Sequence, residues 1–147
     1  MLPEAKSGDL LYVADSTGFV CAFTYPKGKQ VGQLGVDASG GLCSDKEGNV
    51  FVTDLPGEEV VEYAHGGTEP IATLFPDVEP NGCSVDPVTG NLATVNRDGS
   101  YKSESSVSIF EGASGNPTKY NDPELGGLTC SYDDQGNLFV PPTPMLR

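Results

Sequence analysis

One phrase occurs three times in this chain, and it constrains the fold more than any other feature. A short apolar segment ends in Asp, a turn follows that contains Gly-Asn, and a second apolar segment comes next. Gly48 and Gly90 are 42 residues apart, and Gly90 and Gly136 are 46 residues apart. A partial copy, residues 8–13, opens the chain. A regular period of this length predicts a repeat architecture.

Each repeat divides into four strand-length segments separated by turn residues, which is typical of a β-propeller blade. The first repeat lacks its first strand, and the last repeat stops after two, so the sequence predicts thirteen strands. The predicted segments are 10–15, 18–25, 30–36, 41–45, 50–54, 59–64, 71–75, 82–86, 91–96, 106–111, 117–121, 128–133 and 137–140.

We therefore predict an all-β fold: a β-propeller segment of about three four-stranded antiparallel blades in an incomplete ring, with essentially no helix. The three Gly-Asn turns should be equivalent links between the first and second strands of their blades. The predicted organisation is an N-terminal extension (1–7), a partial blade (8–36), two blades (41–75 and 82–121), a partial blade (127–140) and a Pro-rich tail (141–147).

The small number of blades has a consequence of its own. Closed propellers usually have ~4–8 blades, whereas about three are visible here. An open arc leaves unpaired strand edges and apolar blade faces at both ends. We expect either a fragment of a larger propeller or self-association that closes the ring.

Composition limits the classes of partner. The chain carries 21 acidic and 8 basic residues, for a net charge of −13. Binding to phosphate backbones needs clustered Lys and Arg, so nucleic acid is not an expected partner. The longest apolar runs, such as Leu10 to Ala14, are only strand-length, so no membrane-spanning segment is expected. The first residues also lack the basic and apolar regions of a signal peptide.

The repeated pattern resembles NHL-repeat propellers and, more distantly, six-bladed propellers of the gluconolactonase type. The resemblance rests on the Asp-x-x-Gly-Asn turn, the strand after it, and a third strand with an aromatic residue at Phe23, Tyr63 and Phe110. It covers the chain from about Leu10 to Val140. The aromatic positions should fill the gaps between blades. The resemblance slightly favours an extracellular or periplasmic location.

The chain has four cysteines, Cys21, Cys43, Cys83 and Cys130. The last three are interpreted as one repeated position in the innermost strand of each blade. A small residue repeated by blade is typical of a buried hydrophobe, so we predict buried, mostly unpaired thiols that point in equivalent directions. One disulfide is the alternative. A metal site is not expected, because there is no Cys-x-x-Cys pair.

The segment Glu79-Pro80-Asn81-Gly82 opens the inner strand of the third blade. Gluconolactonase-like enzymes carry a metal ligand at this point, so the resemblance implies that Asn81 binds a divalent cation, with Glu79 or Asp54 nearby. The alternative is an ordinary turn Asn before Gly. The corresponding segments of other blades supply no further ligand.

Three polar residues, Asp15, Asp54 and Asn96, recur at the end of the second strand. They could line one rim of the ring and present oxygen atoms to a ligand. Alternatively, they accept hydrogen bonds from the turns that follow them.

Hydrolase chemistry of the triad type is not predicted. His65 is the only histidine, it has no visible nucleophile partner, and the chain lacks a Gly-x-Ser-x-Gly motif. The loop after Asn96 looks like a calcium loop, but Val107 stands where a bidentate acid is needed. The longest loop, 97–105, is a place where a rigid scaffold often carries function.

Two functions are compatible with these patterns. The first is a non-enzymatic binding or scaffolding module that uses no cofactor and binds a protein or small molecule on one rim. The second is a lactonase-like hydrolase that uses Ca²⁺ or another divalent cation to polarise a carbonyl group. The candidate ligand-binding residues are Glu79, Asn81, Asp15, Asp54 and Asn96. Convergence of their oxygen atoms would favour the hydrolase.

Overall fold

The computed structural model describes residues 1–15, 17–36, 40–76, 78–97, 105–122, 125 and 128–142. This part of the chain contains thirteen β-strands, two short 3₁₀ helices and no α-helix, so the predicted all-β class is confirmed. The strands are β1 (Leu10–Ala14), β2 (Val20–Thr24), β3 (Gln30–Leu34), β4 (Leu42–Ser44), β5 (Val50–Asp54), β6 (Glu59–Tyr63), β7 (Pro70–Leu74), β8 (Glu79–Val85), β9 (Leu92–Arg97), β10 (Ser106–Phe110), β11 (Thr118–Asn121), β12 (Ser131–Tyr132) and β13 (Leu138–Phe139).

The strands form four antiparallel sheets in chain order. The first sheet is β1-β2-β3, the second β4-β5-β6-β7, the third β8-β9-β10-β11 and the fourth β12-β13. Within each sheet, every strand pairs with the strand next to it in sequence, as is usual for antiparallel strands joined by short connections. No described helix is long and apolar enough to cross a membrane.

The sheets share one register, which shows that they are true repeats. Phe23 in β2 pairs with Gln30 after a register shift, and Tyr63 in β6 pairs with Pro70 after the same shift. These matching irregularities make β1 the counterpart of β5, so the first sheet lacks its inner strand as predicted. Phe110 ends β10 just as Tyr63 ends β6, and the three aromatic residues are equivalent.

The Gly-Asn turns occupy equivalent positions in their sheets, as predicted. Gly48, Gly90 and Gly136 have φ values of 83°, 76° and 82°. Each lies in the turn between the first and second strands of the second, third and fourth sheets, respectively. Glycine stands there because residues with a side chain rarely adopt this left-handed backbone conformation.

The hydrophobic core lies between the sheets. Between the first and second sheets it contains Val20, Leu34, Val50, Val52, Val61 and Tyr63. Between the second and third sheets it contains Phe51, Val60, Leu74, Cys83, Leu92 and Phe110. Strand β5 contributes to both clusters, so its apolar residues run continuously instead of alternating with polar ones. The predicted role of Tyr63 and Phe110 in filling the gaps between blades is confirmed.

The N-terminal segment packs on the first two sheets. Leu2 donates its backbone N–H to the Val31 carbonyl at 2.7 Å, and Ala5 is fully buried against the first sheet. Nε2 of His65 lies 3.1 Å from the Gly8 carbonyl oxygen, which ties the segment to the second sheet. Of the predicted Pro-rich tail, Pro142 forms a single β-bridge with Leu125, and 143–147 lie outside the described residues.

The prediction for Cys43 and Cys83 is wrong, because these two residues form a disulfide. Their Cα atoms are 5.7 Å apart, and the bond joins β4 of the second sheet to β8 of the third. Cys43 precedes the turn aspartate by two residues, whereas Cys83 precedes its own by three. An offset of one residue turns a strand side chain to the opposite face. The two cysteines therefore face each other across the interface instead of pointing in the same direction.

Cys130 is buried and unpaired, as predicted. Its sulfur lies 3.8 Å from the Ala93 carbonyl oxygen, much as the Cys83 sulfur lies 3.9 Å from that of Phe51. Burial raises the pKa of the Cys130 thiol to about 11. On the facing strand, Ser84 occupies the position that corresponds to Cys43, so Cys130 has no cysteine opposite it.

This equivalence predicts that Ser84→Cys creates a second disulfide, to Cys130, under oxidising conditions. The new thiol would face Cys130 across the third and fourth sheets as Cys43 faces Cys83, within the Cα separation that disulfides need. Thiol titration of the unfolded, unreduced variant should then find one free thiol, on Cys21, where the parent chain has two. The double variant Ser84→Cys/Cys130→Ser is the control. Recovery of three free thiols from the single variant would contradict the assigned register.

Candidate functional site

The predicted site residues lie towards one rim of the stacked sheets, here called the Asn81 rim. It contains the described residues of the β1–β2 turn (15 and 17–19), the β5–β6 turn (54–58), the start of β8 (79–81) and the end of β9 at Arg97. The opposite rim, here called the Gly-Asn rim, contains the three Gly-Asn turns. Antiparallel pairing brings the start of each inner strand and the end of the second strand to the same rim.

The carboxylates of Asp15 and Asp54 close their own turns. Oδ1 of Asp15 accepts hydrogen bonds from the backbone N–H of Thr17 at 2.8 Å and of Phe19 at 3.3 Å. The Thr17 hydroxyl also donates to this oxygen, and that bond lowers the pKa of the Asp15 carboxyl. Oδ1 of Asp54 accepts from the Gly57 N–H at 3.0 Å. Both carboxylates therefore act as turn acceptors.

Asn96 is fully buried and belongs to an internal hydrogen-bond network. Its Oδ1 accepts from the Thr94 hydroxyl at 2.8 Å, and its Nδ2 donates to Ser108 Oγ at 2.7 Å and to Ser106 Oγ at 3.2 Å. The Ser108 hydroxyl lies 3.5 Å from the Pro76 carbonyl, which belongs to the segment after the second sheet. The network satisfies polar groups inside the stack and leaves Asn96 inaccessible to a ligand.

Asn81 sits at an irregularity of β8, and its backbone has the structural role. Pro80 pairs with Asn96 and Gly82 pairs with Val95, so Asn81 is an extra residue without a partner in this ladder. Its carbonyl accepts a hydrogen bond from the Thr53 hydroxyl at 2.8 Å. Its side chain is half-buried, as is that of Glu79, which lies opposite Arg97 in the ladder.

Thr53 is an important residue that sequence reasoning missed. It is fully buried, accepts a hydrogen bond from the Gly41 N–H, and donates to Asn81 of the third sheet. The only sequence signal was a Thr directly after the apolar run 50–52 of β5. Gly40 approaches so closely that a Cβ there would collide with the Thr53 hydroxyl. The Thr53–Asn81 hydrogen bond joins β5 of the second sheet to β8, the inner strand of the third sheet.

The candidate residues belong to three sheets, and the described contacts do not bring their side-chain oxygen atoms together. Asp15 and Asp54 bond within the first and second sheets, and Asn96 bonds inside the third. Among the residues that the structure describes, no group of three or more His, Cys, Asp and Glu side chains could hold a metal ion. The loop 98–104, singled out from the sequence, lies outside the described residues.

The aspartates of the Gly-Asn rim form a second set of turn acceptors. Asp45 accepts from Asn49 N–H at 2.8 Å and from its Nδ2 at 2.9 Å, and Asp133 accepts from Asn137 at the same two distances. The turn after Asp86 is one residue longer, and Asp86 bonds instead to the Val88 N–H and the Thr89 hydroxyl. These bonds, chiefly from the side chains of Asn137 and Thr89, lower the pKa values of the Asp133 and Asp86 carboxyls.

Comparison with solved structures identifies the stacked sheets as part of a β-propeller. The β-propeller domain of Cps50 (Swd1) from Myceliophteria thermophila aligns with a TM-score of 0.67 at 12% identity, over 92% of this chain and 46% of that one. A Bacteroides caccae protein of unknown function aligns with a TM-score of 0.65 at 13% identity, over 90% of this chain and 50% of that one. Kuenenia stuttgartiensis hydrazine synthase aligns with a TM-score of 0.66 at 16% identity, over 84% of this chain and 36% of that one.

These similarities establish the fold and nothing finer. No protein-family model matches the sequence, and no curated protein matches it either. The chain spans half or less of the length of the structures described above. The described residues therefore form an all-β propeller segment whose sheets do not close into a ring.

The buried network predicts that Asn96→Ala lowers the free energy of unfolding by about 1–3 kcal/mol, because Thr94 and Ser108 lose a buried partner. Urea unfolding followed by circular dichroism measures the change. Asn121→Ala is the matched control, since Asn121 is exposed on β11 of the same sheet and should change stability by less than about 0.5 kcal/mol. Equal stability of the Asn96 variant and the parent would contradict an internal structural role.

The turn aspartates predict a loss of stability in acid. The folded-state pKa values of Asp86 and Asp133 lie below the ordinary value of 3.8. The two ionised carboxylates therefore stabilise the folded state above that pH, and this stabilisation is lost as the pH falls through the lowered pKa values. Asp133→Asn should therefore reduce the dependence of the thermal midpoint on pH between about 5 and 2. Asp134→Asn removes the same charge one residue away and is the control. An identical effect of both substitutions would argue against the turn bonds as the cause.

Proposed function

We propose that this chain is a non-enzymatic propeller module, built from NHL-like repeats, that serves as a binding scaffold. The observation that carries the proposal is that the recurring polar side chains of the repeats are already engaged in hydrogen bonds within the fold. Asp15 and Asp54 close turns, Asn96 joins β9 to β10 inside the third sheet, and Thr53 joins the second sheet to the third. A catalytic site needs convergent groups available to a substrate. Residues engaged in this way support a scaffold more than a lactonase-like hydrolase.

The Asn81 rim is the surface on which we place partner binding. Phe19 in the β1–β2 turn and Phe75 just after β7 are 45% and 57% exposed, and Leu128, whose backbone lies against Gly82, is 56% exposed. These side chains come from the first and second sheets and from the segment that leads into the fourth. Exposed large apolar residues around a rim are typical anchors of protein interfaces.

The charge of the chain narrows the chemistry of the partner. Glu58 and Glu59 also lie on the Asn81 rim, and the net charge of the chain is −13. Complementarity favours a protein segment that presents apolar anchors with basic or neutral residues around them. A polyanion would be repelled by the same surface.

Site-specific photocrosslinking tests this surface in extracts of the source organism. A photoreactive phenylalanine analogue is placed at Phe19 or Phe75, and at Val88 as the control. Val88 is also large, apolar and exposed, at 61%, but it lies on the Gly-Asn rim. We expect one shared adduct from the two Asn81-rim positions and its absence from Val88. No adduct, or the same adduct from Val88, would contradict binding on this rim.

Calcium addition separates the scaffold from the hydrolase alternative. A lactonase-like site would bind the metal through Asn81 with Asp54 or Glu79, and ligand binding to the native state raises the thermal midpoint. For the scaffold, the midpoint should be the same in CaCl₂ and in EDTA at matched ionic strength. A calcium-specific increase that Asp54→Asn abolishes would favour the hydrolase.

The disulfide supports a location in an oxidising compartment. Disulfides persist in extracellular and periplasmic proteins and are rare in reducing compartments. The Cys43–Cys83 bond therefore supports the extracellular or periplasmic location expected from the repeat resemblance. Alkylation of free thiols before lysis of the source cells tests this location. Recovery of both cysteines in alkylated form would contradict it.

A further inference from the structure

The first sheet has an apolar face that no described residue of the chain covers. Leu11 pairs with Phe23 and Val13 pairs with Cys21, so the four side chains lie on one face. Leu11 is 49% exposed and Val13 is 41% exposed. Cys21 and Phe23 are half-buried. These four residues are here called the leading face.

The leading face is equivalent to a face that is buried elsewhere in the chain. In the second sheet, Val50 pairs with Tyr63 and Val52 pairs with Val61, which is the same arrangement. Those four residues are buried against the preceding sheet. In the third sheet, Leu92 pairs with Phe110 at the corresponding positions, and both are fully buried against the second sheet. By its register, the leading face is therefore the face that would pack against a preceding sheet.

The other end of the arc carries the matching half of this interface. Phe139 in β13 pairs with Ser131, two residues before the turn aspartate, just as Phe51 in β5 pairs with Cys43. Phe51 is 1% exposed because it packs towards the third sheet, in the cluster with Leu92 and Phe110. Phe139 is 60% exposed. The side of the fourth sheet that carries the Phe139 side chain is here called the trailing face.

We infer that the leading face binds the trailing face of a second copy of this chain. Phe139 of one copy packs on Leu11 and Phe23 of the other, as Phe51 packs with Leu92 and Phe110 within the chain. None of the residues brought together is charged, so the contact buries no like charges although each copy carries a net charge of −13.

The share of a propeller domain that this chain spans makes a ring of two copies the expected assembly. The chain aligns with 46% of the Swd1 β-propeller domain, over 92% of its own length. Two copies joined head to tail therefore account for about one full ring, with two identical contacts. A head-to-tail contact closes into a ring when its rotation allows, and otherwise continues as a filament.

Sedimentation velocity over a range of concentrations tests the assembly. The parent chain should approach twice its 15.4-kDa mass as concentration rises. Leu11→Asp disables the leading face and Phe139→Asp disables the trailing face, and each should weaken association about tenfold or more by placing a charge in an apolar contact. Val88→Asp is the control, because Val88 is exposed but corresponds to no buried interface. All variants should give the parent circular dichroism spectrum.

Mixing the two disabled variants separates head-to-tail packing from other modes. The Leu11→Asp chain keeps its trailing face and the Phe139→Asp chain keeps its leading face, so the mixture should form a heterodimer through one intact contact. A dimer in which two leading faces meet would instead be unaffected by Phe139→Asp. A parent chain that stays monomeric at every concentration, or association that Val88→Asp disrupts equally, would overturn the inference.

Discussion

The packing of each sheet against the face of the next is the interaction on which the rest of this structure depends. An isolated four-stranded sheet has no core of its own, and apolar side chains on both faces need a neighbour to remove them from water. Val50 and Phe51, adjacent in β5, illustrate this by packing towards opposite neighbouring sheets. The same requirement explains why the two ends of the arc, at Leu11 and Phe139, present apolar residues to solvent.

Most of the fold could be predicted because its signals are local. Turn chemistry at Gly48 and its equivalents, strand-length apolar runs and the recurrent aromatic residues each depend on a few neighbouring positions. A disulfide was only the alternative prediction, because the facing of Cys43 and Cys83 depends on a single residue of register. Cys43 was aligned with Cys83 by residue type, whereas its distance from the turn aspartate places it on the opposite face. Counting from the turn would have predicted that the two cysteines face each other.

The candidate site was less predictable, since the role of a polar side chain depends on partners that are distant in sequence. Asn96 looked like a rim residue, but Thr94, Ser106 and Ser108 enclose it. Thr53 carried no motif, yet it links the second sheet to the third. The Asn96 bonds join strands within the third sheet, and the Thr53 bond joins the second sheet to the third, so both residues stabilise the stack of sheets. We propose that binding uses the Asn81 rim and the open faces at the two ends of the arc.

Disulfide mapping of the unreduced protein tests the register of the stacked sheets most directly. Peptides are released by protease after the free thiols have been alkylated, and cross-linked pairs are identified by mass spectrometry. The structure predicts one linked pair that contains Cys43 and Cys83, with Cys21 and Cys130 alkylated. Linkage of Cys43 to Cys130, or alkylation of all four cysteines in protein isolated under oxidising conditions, would contradict the facing of β4 and β8.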